Sequence, residues 1–366
     1  MKINITENAK VIMSNRDSRH NYFAWPTVAR LKNGKIAVVA SGFRLYHICP
    51  FGKAVMTVSE DEGNTFSPLQ TIIDTPLDDR DAGLCPFGES GVIVTSFNNS
   101  REMQRNWSRT TYMDRKTEAE IKYIESYIDN VTDEQEEKYL GSTYRVSYDN
   151  GITFGEVFRS PVSCPHGPIV LNDGTFLYVG TDSTGVKTRE YNGITVAKIT
   201  LDGKGEIIGR IDAIPEGVSW EPHAVQLPDG KIICHIRVEK WENGKQLVFT
   251  TFQSESTDGG KTWTKPHQLV SKLGGAPAHL MLHSSGALIS VYGYREAPYA
   301  VKAMISFDGG ETWDIDHIIY EQPHSADIGY PASVELSDGS IMTVFYAKEH
   351  ELSPAEIYSI KWNFEK

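Results

Sequence analysis

Side chains that can exchange protons or bind anions recur along the sequence at similar intervals, each near the start of an apolar run. They are Arg80 and Asp81, His166, Glu221 and His223, His279, and Tyr330. Carboxylates and histidines act as general acids and bases, a phenol can also act as a nucleophile, and arginine binds carboxylates through charge-assisted hydrogen bonds. If the fold brings these positions together, they could perform acid–base or nucleophilic chemistry on an anionic substrate.

A second set of candidates follows apolar runs instead of preceding them. Arg237 and Arg295 each lie at the end of such a run, and Arg44 and His47 lie in the segment 43–50. That segment contains no carboxylate, so His47 is its only proton-transfer side chain with a pKa near neutrality.

The elements that must position these residues are short antiparallel hairpins. A tight turn between two apolar runs occurs six times, and several of the turns are residue pairs that type I′ hairpins favour. The turns are Asn33-Gly34, Ser90-Gly91, Asp173-Gly174, Asp229-Gly230, Ser285-Gly286 and Asp338-Gly339. Third and fourth strands usually follow, so a repeat of roughly 55 residues predicts six four-stranded propeller blades. The last unit has only three strands, and we expect residues 11–13 to complete it.

The interval between the second and third turns is longer than the others and holds a segment of different composition, about 101–140. It is rich in Glu, Lys and Gln, and its apolar residues are spaced as in a helix. We predict a helical insertion in the second blade. Three roles are open for it: a solvated decoration, a rim of the active site, or a contact between copies of the chain.

Four of the units carry the same motif after the third strand, Ser-x-Asp-x-Gly-x-Thr followed by Phe or Trp. It begins at Ser59, Ser147, Ser256 and Ser306. The Asp carboxylate can accept local backbone N–H bonds and Gly can adopt a positive φ, so the motif predicts a self-contained turn. Turns between third and fourth strands lie at the perimeter of a propeller. We therefore expect the chemistry at the opposite, axial surface.

This motif is the Asp box, and the chain resembles the sialidase (neuraminidase) superfamily of Asp-box (BNR repeat) β-propellers over nearly its whole length. The resemblance implies an all-β six-bladed propeller in one domain, 1–366. It also implies a cofactor-free exo-glycosidase that acts on a terminal acidic sugar of a glycan. In that family a Tyr nucleophile is assisted by a Glu, an Asp is the acid/base, and three arginines bind the substrate carboxylate. A phenol suits this task because that carboxylate would repel an acidic nucleophile.

Four residues of this chain match the family's site. Tyr330 opens the sixth unit at the position of the nucleophile, and Glu221 opens the fourth unit at the position of the assisting Glu. Arg237 and Arg295 match the second and third arginines. The resemblance therefore implies that these four residues converge on one pocket.

Two positions depart from the family's pattern. The family begins its first blade with Arg-Ile-Pro, whereas Ala24 stands here in place of the arginine. The segment 43–50 also lacks the acid/base Asp, which leaves His47 or Asp81 to protonate the leaving oxygen. The substrate could accordingly be sialic acid or another ulosonic or uronic acid.

Further substrate-binding candidates surround the expected axis, and two other functions remain open. The candidates are Arg44, Arg80, His166, His223 and His279. The histidines favour an alternative, β-elimination at a uronate, whereas the incomplete arginine clamp favours a non-catalytic carbohydrate-binding propeller. Three histidines could also bind a metal, but no loop holds two of them at ligand spacing, so we expect none.

The composition limits which binding partners and which cellular location we expect. The formal net charge of -12 argues against general affinity for nucleic acid, and no stretch is long enough to span a bilayer. Residues 1–16 lack the apolar core of a signal peptide, and the four cysteines are widely spaced, as expected of buried free thiols. We expect a cytoplasmic, glycan-binding protein, with self-association left open.

Overall fold

The computed structural model describes residues 2–110, 116–183 and 191–365, and in these ranges it contains 25 strands and three helices. Strand β1 (Lys2–Met13) comes first. The first sheet then contains β2 (Tyr22–Arg30), β3 (Ile36–Arg44), β4 (Lys53–Ser59) and β5 (Gln70–Ile73). The second contains β6 (Arg80–Phe87), β7 (Gly91–Phe97), β8 (Ser142–Ser147) and β9 (Phe158–Ser160). The third contains β10 (Val162–Ser163), β11 (Ile169–Val170), β12 (Phe176–Asp182), β13 (Ile194–Ile199) and β14 (Gly205–Ile211).

Three more sheets follow along the chain. The fourth contains β15 (Val218–Gln226), β16 (Ile232–Glu242), β17 (Lys245–Ser256) and β18 (His267–Gln268). The fifth contains β19 (Ala278–Leu282), β20 (Leu288–Tyr294), β21 (Tyr299–Ser306) and β22 (Asp314–Gln322). The sixth contains β23 (Gly329–Glu335), β24 (Ile341–Lys348) and β25 (Ala355–Glu365), with β1 as its outer strand.

The innermost strands of the six sheets pack in a closed ring. β2 contacts β6, β6 contacts β11, β11 contacts β15, β15 contacts β19, β19 contacts β23, and β23 contacts β2. The predicted six-bladed β-propeller is therefore confirmed. Strands such as β3 are buried along almost their whole length because neighbouring blades cover both faces, which explains the continuous apolar runs of the sequence.

The N-terminal strand closes the ring, as predicted. β1 pairs antiparallel with β25, from Ile3 opposite Phe364 to Met13 opposite Ile357, with register shifts along the ladder. The strand extends well beyond the predicted 11–13, so the first and last parts of the described chain share one sheet.

The third sheet departs from the predicted four-strand pattern. Its inner strand is divided into β10 and β11 around residues 164–168. Pro165 has no N–H to donate, and Gly167 has a φ of 83°, so the backbone leaves the ladder here. The interruption brings the backbone of His166 against the second blade, where its carbonyl accepts from the Leu84 N–H at 3.4 Å.

The predicted insertion is helical and lies between β7 and β8. It contains α1 (Arg101–Thr110), α2 (Glu118–Asp129) and α3 (Asp133–Tyr139). Thr117 and Thr132 begin α2 and α3 with capping boxes, and Ile124 and Ile128 bury one face of α2 beside Cys49. None of the described helices is long and apolar enough to cross a membrane.

The Asp boxes form local turns. In one of them Asp258 accepts the Thr262 N–H at 2.9 Å and the Thr262 hydroxyl at 2.6 Å, and these bonds lower the pKa of Asp258 to about 2. The aromatic residue that ends each box packs against an interblade core cluster, as Trp263 does. All four cysteines are free and buried.

Candidate functional site

Four residues with strained backbones mark the axial surface. Trp25, Asp81, Glu221 and Tyr330 have φ values of 55°, 27°, 44° and 48°, a region that residues with side chains rarely adopt. Each lies in the inner strand of a different blade where the strand register shifts, which defines a β-bulge. Bulges re-aim side chains, and such strain clusters at functional sites. The repeated bulge gives Asp81, Glu221 and Tyr330 equivalent positions in their blades.

The phenol of Tyr330 lies between two charged side chains. It donates to Glu221 Oε1 at 2.7 Å and accepts from Arg237 Nη1 at 3.0 Å, while Nη1 also contacts Glu221 Oε2 at 2.5 Å. Burial and the neighbouring Glu221 carboxylate raise the pKa of Tyr330 well above its usual value. The phenol is therefore neutral at rest, with a carboxylate in place to take its proton.

The two predicted arginines differ in their partners. Arg237 also donates to Glu239 Oε2 at 2.7 Å, so two carboxylates contact one guanidinium. Arg295 instead donates to the Ile328 carbonyl at 3.1 Å and to the Tyr346 hydroxyl at 2.9 Å. Since these partners are uncharged, the positive charge of Arg295 is the less compensated of the two.

One cavity of about 810 Å³ unites most of the predicted residues. His47, Arg80, Glu221, Arg237, Arg295 and Tyr330 all line it. Its volume falls in the range of ligand-binding pockets. Met103 and Trp107 of α1 line it too, so the insertion forms part of the rim, which was one of its three open roles.

Arg80 lines the cavity, and its guanidinium lies 4.1 Å from the centre of the Trp25 ring. Ala24, which stands in place of the family's first arginine, is fully buried. Arg80 donates to the His47 carbonyl at 3.0 Å, and it lies 3.4 Å from Asp78 and 3.9 Å from Asp81. The cavity thus has three guanidinium groups, from the second, fourth and fifth blades.

Arg44, a predicted substrate contact, does not line the cavity. Its side chain is fully buried and forms an ion pair with Asp78 at 2.5 and 2.9 Å. It also donates to the carbonyls of Tyr46 and His47 at 3.3 and 3.0 Å. Arg44 therefore holds the 45–49 loop and does not reach the cavity.

Asp81 also lies below the cavity surface. It is 2% exposed, it is not among the lining residues, and its Oδ1 is a buried atom without a hydrogen-bond partner. Burial raises the pKa of Asp81 to about 7, with Arg80 acting in the opposite direction and Glu221 adding to the rise. His47 does line the cavity, and it is the better placed of the two predicted acids.

The three histidines form a cluster around the axis but do not line the cavity, contrary to the predicted substrate contacts. The His223 and His279 rings stack with centroids 4.3 Å apart, and His166 packs against them edge-on. Burial, and then a neighbouring imidazole, hold each pKa well below the usual value, so the rings are neutral. The cluster is buried and lies off the cavity wall.

The tautomers of two histidines do not suit a metal site. Nδ1 of His223 accepts the Leu280 N–H at 2.9 Å, and Nδ1 of His279 accepts the Ser333 N–H at 3.3 Å. Each neutral ring must therefore carry its proton on Nε2, the nitrogen that a metal would need. Within the described ranges, no group of three or more His, Cys, Asp or Glu side chains has the geometry to hold a metal ion.

Several residues of the site were missed by sequence reasoning. Asp327 contacts His47, Glu239 contacts Arg237, and the cavity wall also contains Trp107, Trp220 and Trp241. Glu239 and Trp241 follow Arg237 at spacings of two, so their alternation along β16 was a usable signal. No local signal identified Asp327, because its partners lie in other blades.

Comparisons with known proteins agree with this architecture. The profile of the BNR repeat-like domain family matches residues 126–343, more than half of the chain. No curated protein matched the sequence significantly.

Solved structures share the fold at low identity. A protein of unknown function from Dyadobacter fermentans superposes with a TM-score of 0.75 and 17% identity, covering 99% of both chains. The intramolecular trans-sialidase of Ruminococcus gnavus gives 0.63 and 11%, covering 98% of this chain and 97% of its own. The α-L-arabinanase of Penicillium chrysogenum gives 0.61 and 12%, covering 98% of each. The chain therefore has a sialidase-like propeller fold.

Proposed function

This chain belongs to the BNR repeat-like domain family, and on that premise we propose that it is an exo-glycosidase that removes a terminal acidic sugar from a glycan. The observation that carries the proposal is the 2.7 Å contact between the Tyr330 hydroxyl and the Glu221 carboxylate, inside a cavity with three arginines. A phenol is a weak nucleophile until a base removes its proton, and Glu221 lies within the distance required of that base.

The reaction has two steps that use only protein groups and water. In the first, Tyr330 oxygen bonds to the anomeric carbon as its proton passes to Glu221, while His47 gives a proton to the departing oxygen. In the second, water attacks the same carbon, its proton passes to His47, and Tyr330 leaves and recovers its proton from Glu221. Configuration at the anomeric carbon is retained after two displacements.

The anionic group of the substrate is bound mainly by Arg295, with Arg80 as the second contact. Arg237 already contacts Glu221 and Glu239, so its charge is largely compensated and its main effect is to hold the base and the phenol. With Ala24 in place of the family's first arginine, the site suits a sialic, other ulosonic or uronic acid. These sugars share the carboxylate on which the proposal depends.

Hydrolysis is better supported than elimination. The elimination alternative drew on the histidine ring, and those rings lie beneath the cavity in their neutral state. The contact between Tyr330 and Glu221 is what a nucleophilic mechanism requires. The same contact is also the reason to prefer catalysis to simple carbohydrate binding.

The experiment is a substrate screen read by mass. Purified protein is incubated in ¹⁸O-labelled water with oligosaccharides that end in sialic, other ulosonic or uronic acids. Hydrolysis places one labelled oxygen on the released acidic sugar, whereas elimination leaves an unlabelled unsaturated sugar that absorbs in the near ultraviolet. Binding of these oligosaccharides without turnover, or an unsaturated product, would overturn the proposal.

A further inference from the structure

His47 is held by a carboxylate from the sixth blade to which no sequence motif assigned a role. We propose that Asp327 is a positioning residue: it fixes the proton of the His47 ring on Nδ1 and leaves Nε2 to exchange protons with the leaving group. The part of this proposal that concerns turnover rests on the proposed function. The state of the His47 ring can be measured without any substrate.

Hydrogen-bond contacts join His47, Tyr22 and Asp327 and indicate where their protons lie. Nδ1 lies 3.2 Å from Asp327 Oδ1 and 2.8 Å from the Tyr22 hydroxyl, which itself lies 3.0 Å from both Asp327 oxygens. An ionised carboxylate only accepts, so the single Tyr22 proton points to Asp327 and the Tyr22 oxygen is left as an acceptor. Both neighbours of Nδ1 are then acceptors, and Nδ1 must carry the proton.

Asp327 is ionised although it is buried. Its side chain is 4% exposed, and Lys348 Nζ lies 3.3 Å from Oδ2. Burial opposes ionisation, but His47, Lys348 and Arg295 together hold the pKa of Asp327 below its usual range. The carboxylate therefore presents a negative charge to the imidazole, shared with a lysine on its other side.

Two arginines add positive charge near His47. Arg44 and Arg80 each donate to its backbone carbonyl at 3.0 Å, and the Trp25 ring lies 5.0 Å from the imidazole. Two guanidinium groups close to this residue oppose a positive imidazole, even though Asp78 contacts both of them. The Asp327 carboxylate contacts the ring itself and favours its protonated form.

This arrangement replaces the acid/base Asp that segment 43–50 lacks. In the first step Nε2–H of the imidazolium gives its proton to the leaving oxygen as the glycosidic bond breaks. In the second step Nε2 takes a proton from the attacking water, and the positively charged imidazolium forms again next to Asp327. Nδ1 keeps its proton throughout, so Asp327 orients the ring and stabilises its charged form without itself being protonated.

The test is nuclear magnetic resonance of ¹⁵N-histidine-labelled protein, with His47→Gln used to assign the His47 signals. In the wild type we expect the neutral His47 ring to carry its proton on Nδ1. In Asp327→Asn the measured pKa of His47 should fall by at least about 1, since a contacting opposite charge is lost. In Lys348→Met the measured pKa of His47 should rise, because the Asp327 carboxylate then no longer shares its charge with the lysine.

Lys302→Met is the matched control, as that lysine contacts Asp316 at 2.9 Å away from the cavity, and it should leave His47 unchanged. The opposite directions in Asp327→Asn and Lys348→Met separate an electrostatic role from general damage to the fold. A neutral His47 with its proton on Nε2, or a pKa that stays within about 0.3 of the wild type in Asp327→Asn, would overturn the proposal.

Turnover supplies a second readout. Loss of proton donation should matter for a sugar leaving group and far less for an activated aryl leaving group, which departs without a proton. We expect Asp327→Asn to lower kcat at least about 10-fold more for the sugar than for the aryl group. An equal loss for both would refute the positioning role. If the resonance results hold and no acidic glycoside is cleaved, the proposed function fails and the Asp327–His47 pairing stands.

Discussion

Tyr330→Phe is the substitution that most directly separates chemistry from structure in this site. It removes one oxygen atom and keeps the ring, which packs against Trp25 and Tyr346 at centroid distances of 6.3 and 6.0 Å. The Glu221–Arg237 contact at 2.5 Å does not involve that oxygen and should persist. The cavity should therefore keep its shape and lose its proposed nucleophile.

The expected loss of stability is small, whereas the expected loss of kcat is large, so the two effects can be distinguished. The hydroxyl forms two hydrogen bonds to charged groups, at 2.7 and 3.0 Å, and such bonds contribute about 1.5–3 kcal/mol each. Because Glu221 and Arg237 keep each other as partners, we expect the free energy of unfolding to fall by about 1–3 kcal/mol. A domain with a typical free energy of unfolding of about 5–15 kcal/mol remains folded after such a loss. Loss of the attacking group should lower kcat at least about 10²-fold, equivalent to about 2.7 kcal/mol of transition-state stabilisation.

The assay measures initial rates on the cleaved glycoside together with the folded fraction from urea denaturation. Tyr144→Phe is the matched control, since that buried hydroxyl donates to the Thr200 carbonyl at 2.7 Å and does not line the cavity. It should lose stability without losing rate per folded molecule. If Tyr330→Phe retains more than about a tenth of the wild-type kcat, Tyr330 is not the nucleophile.

Four further substitutions test other parts of the molecule. Arg44→Met should cost about 3–5 kcal/mol of unfolding free energy, because it leaves Asp78 charged and buried; a loss below about 1 kcal/mol in urea denaturation would contradict this. Asp258→Ala and Asp308→Ala should each lower stability by about 1 kcal/mol while the rate per folded molecule stays unchanged, and loss of that rate would refute the perimeter assignment. The pKa of Asp81, about 7, exceeds the roughly 3.9 of an unfolded chain, so the folded state holds an extra proton between these values and stability falls as pH rises through them. Asp81→Asn should flatten that fall between about pH 4 and pH 7 in urea midpoints, and an unchanged slope would show that the carboxyl is not the cause.

Much of the fold was predictable because its signals are local. Each hairpin turn needs particular residues over two positions, and each Asp box completes its hydrogen bonds within a few residues, as Asp258 does with Thr262. Neighbouring blades bury both faces of strands such as β3, so the repeated apolar runs indicate the number of blades. The split of the third inner strand around Pro165 and Gly167 had local signals too, but the repeat period hid them.

The site was predictable only where the blade position determined the side-chain direction. Tyr330 and Glu221 lie at equivalent bulges, so their shared position in two repeats predicted their convergence. Arg44 and Arg80 were both predicted to bind substrate, yet one is buried against Asp78 and the other lines the cavity. Asp78 contacts both guanidinium groups, so the difference lies in how each side chain packs in the closed ring, which no local pattern encodes.

The sequence by itself determined the repeat: six units, a helical insertion, perimeter turns, and inner strands that carry reactive side chains at equivalent positions. Only the tertiary structure decided the protonation and partners of those side chains. It buried the three histidines in a neutral cluster, paired Arg44 with Asp78, and brought Asp327 against His47 across 280 residues of chain. Backbone hydrogen bonding and strand periodicity act over a few residues, whereas burial and ion pairing depend on groups that meet only when the ring of blades closes.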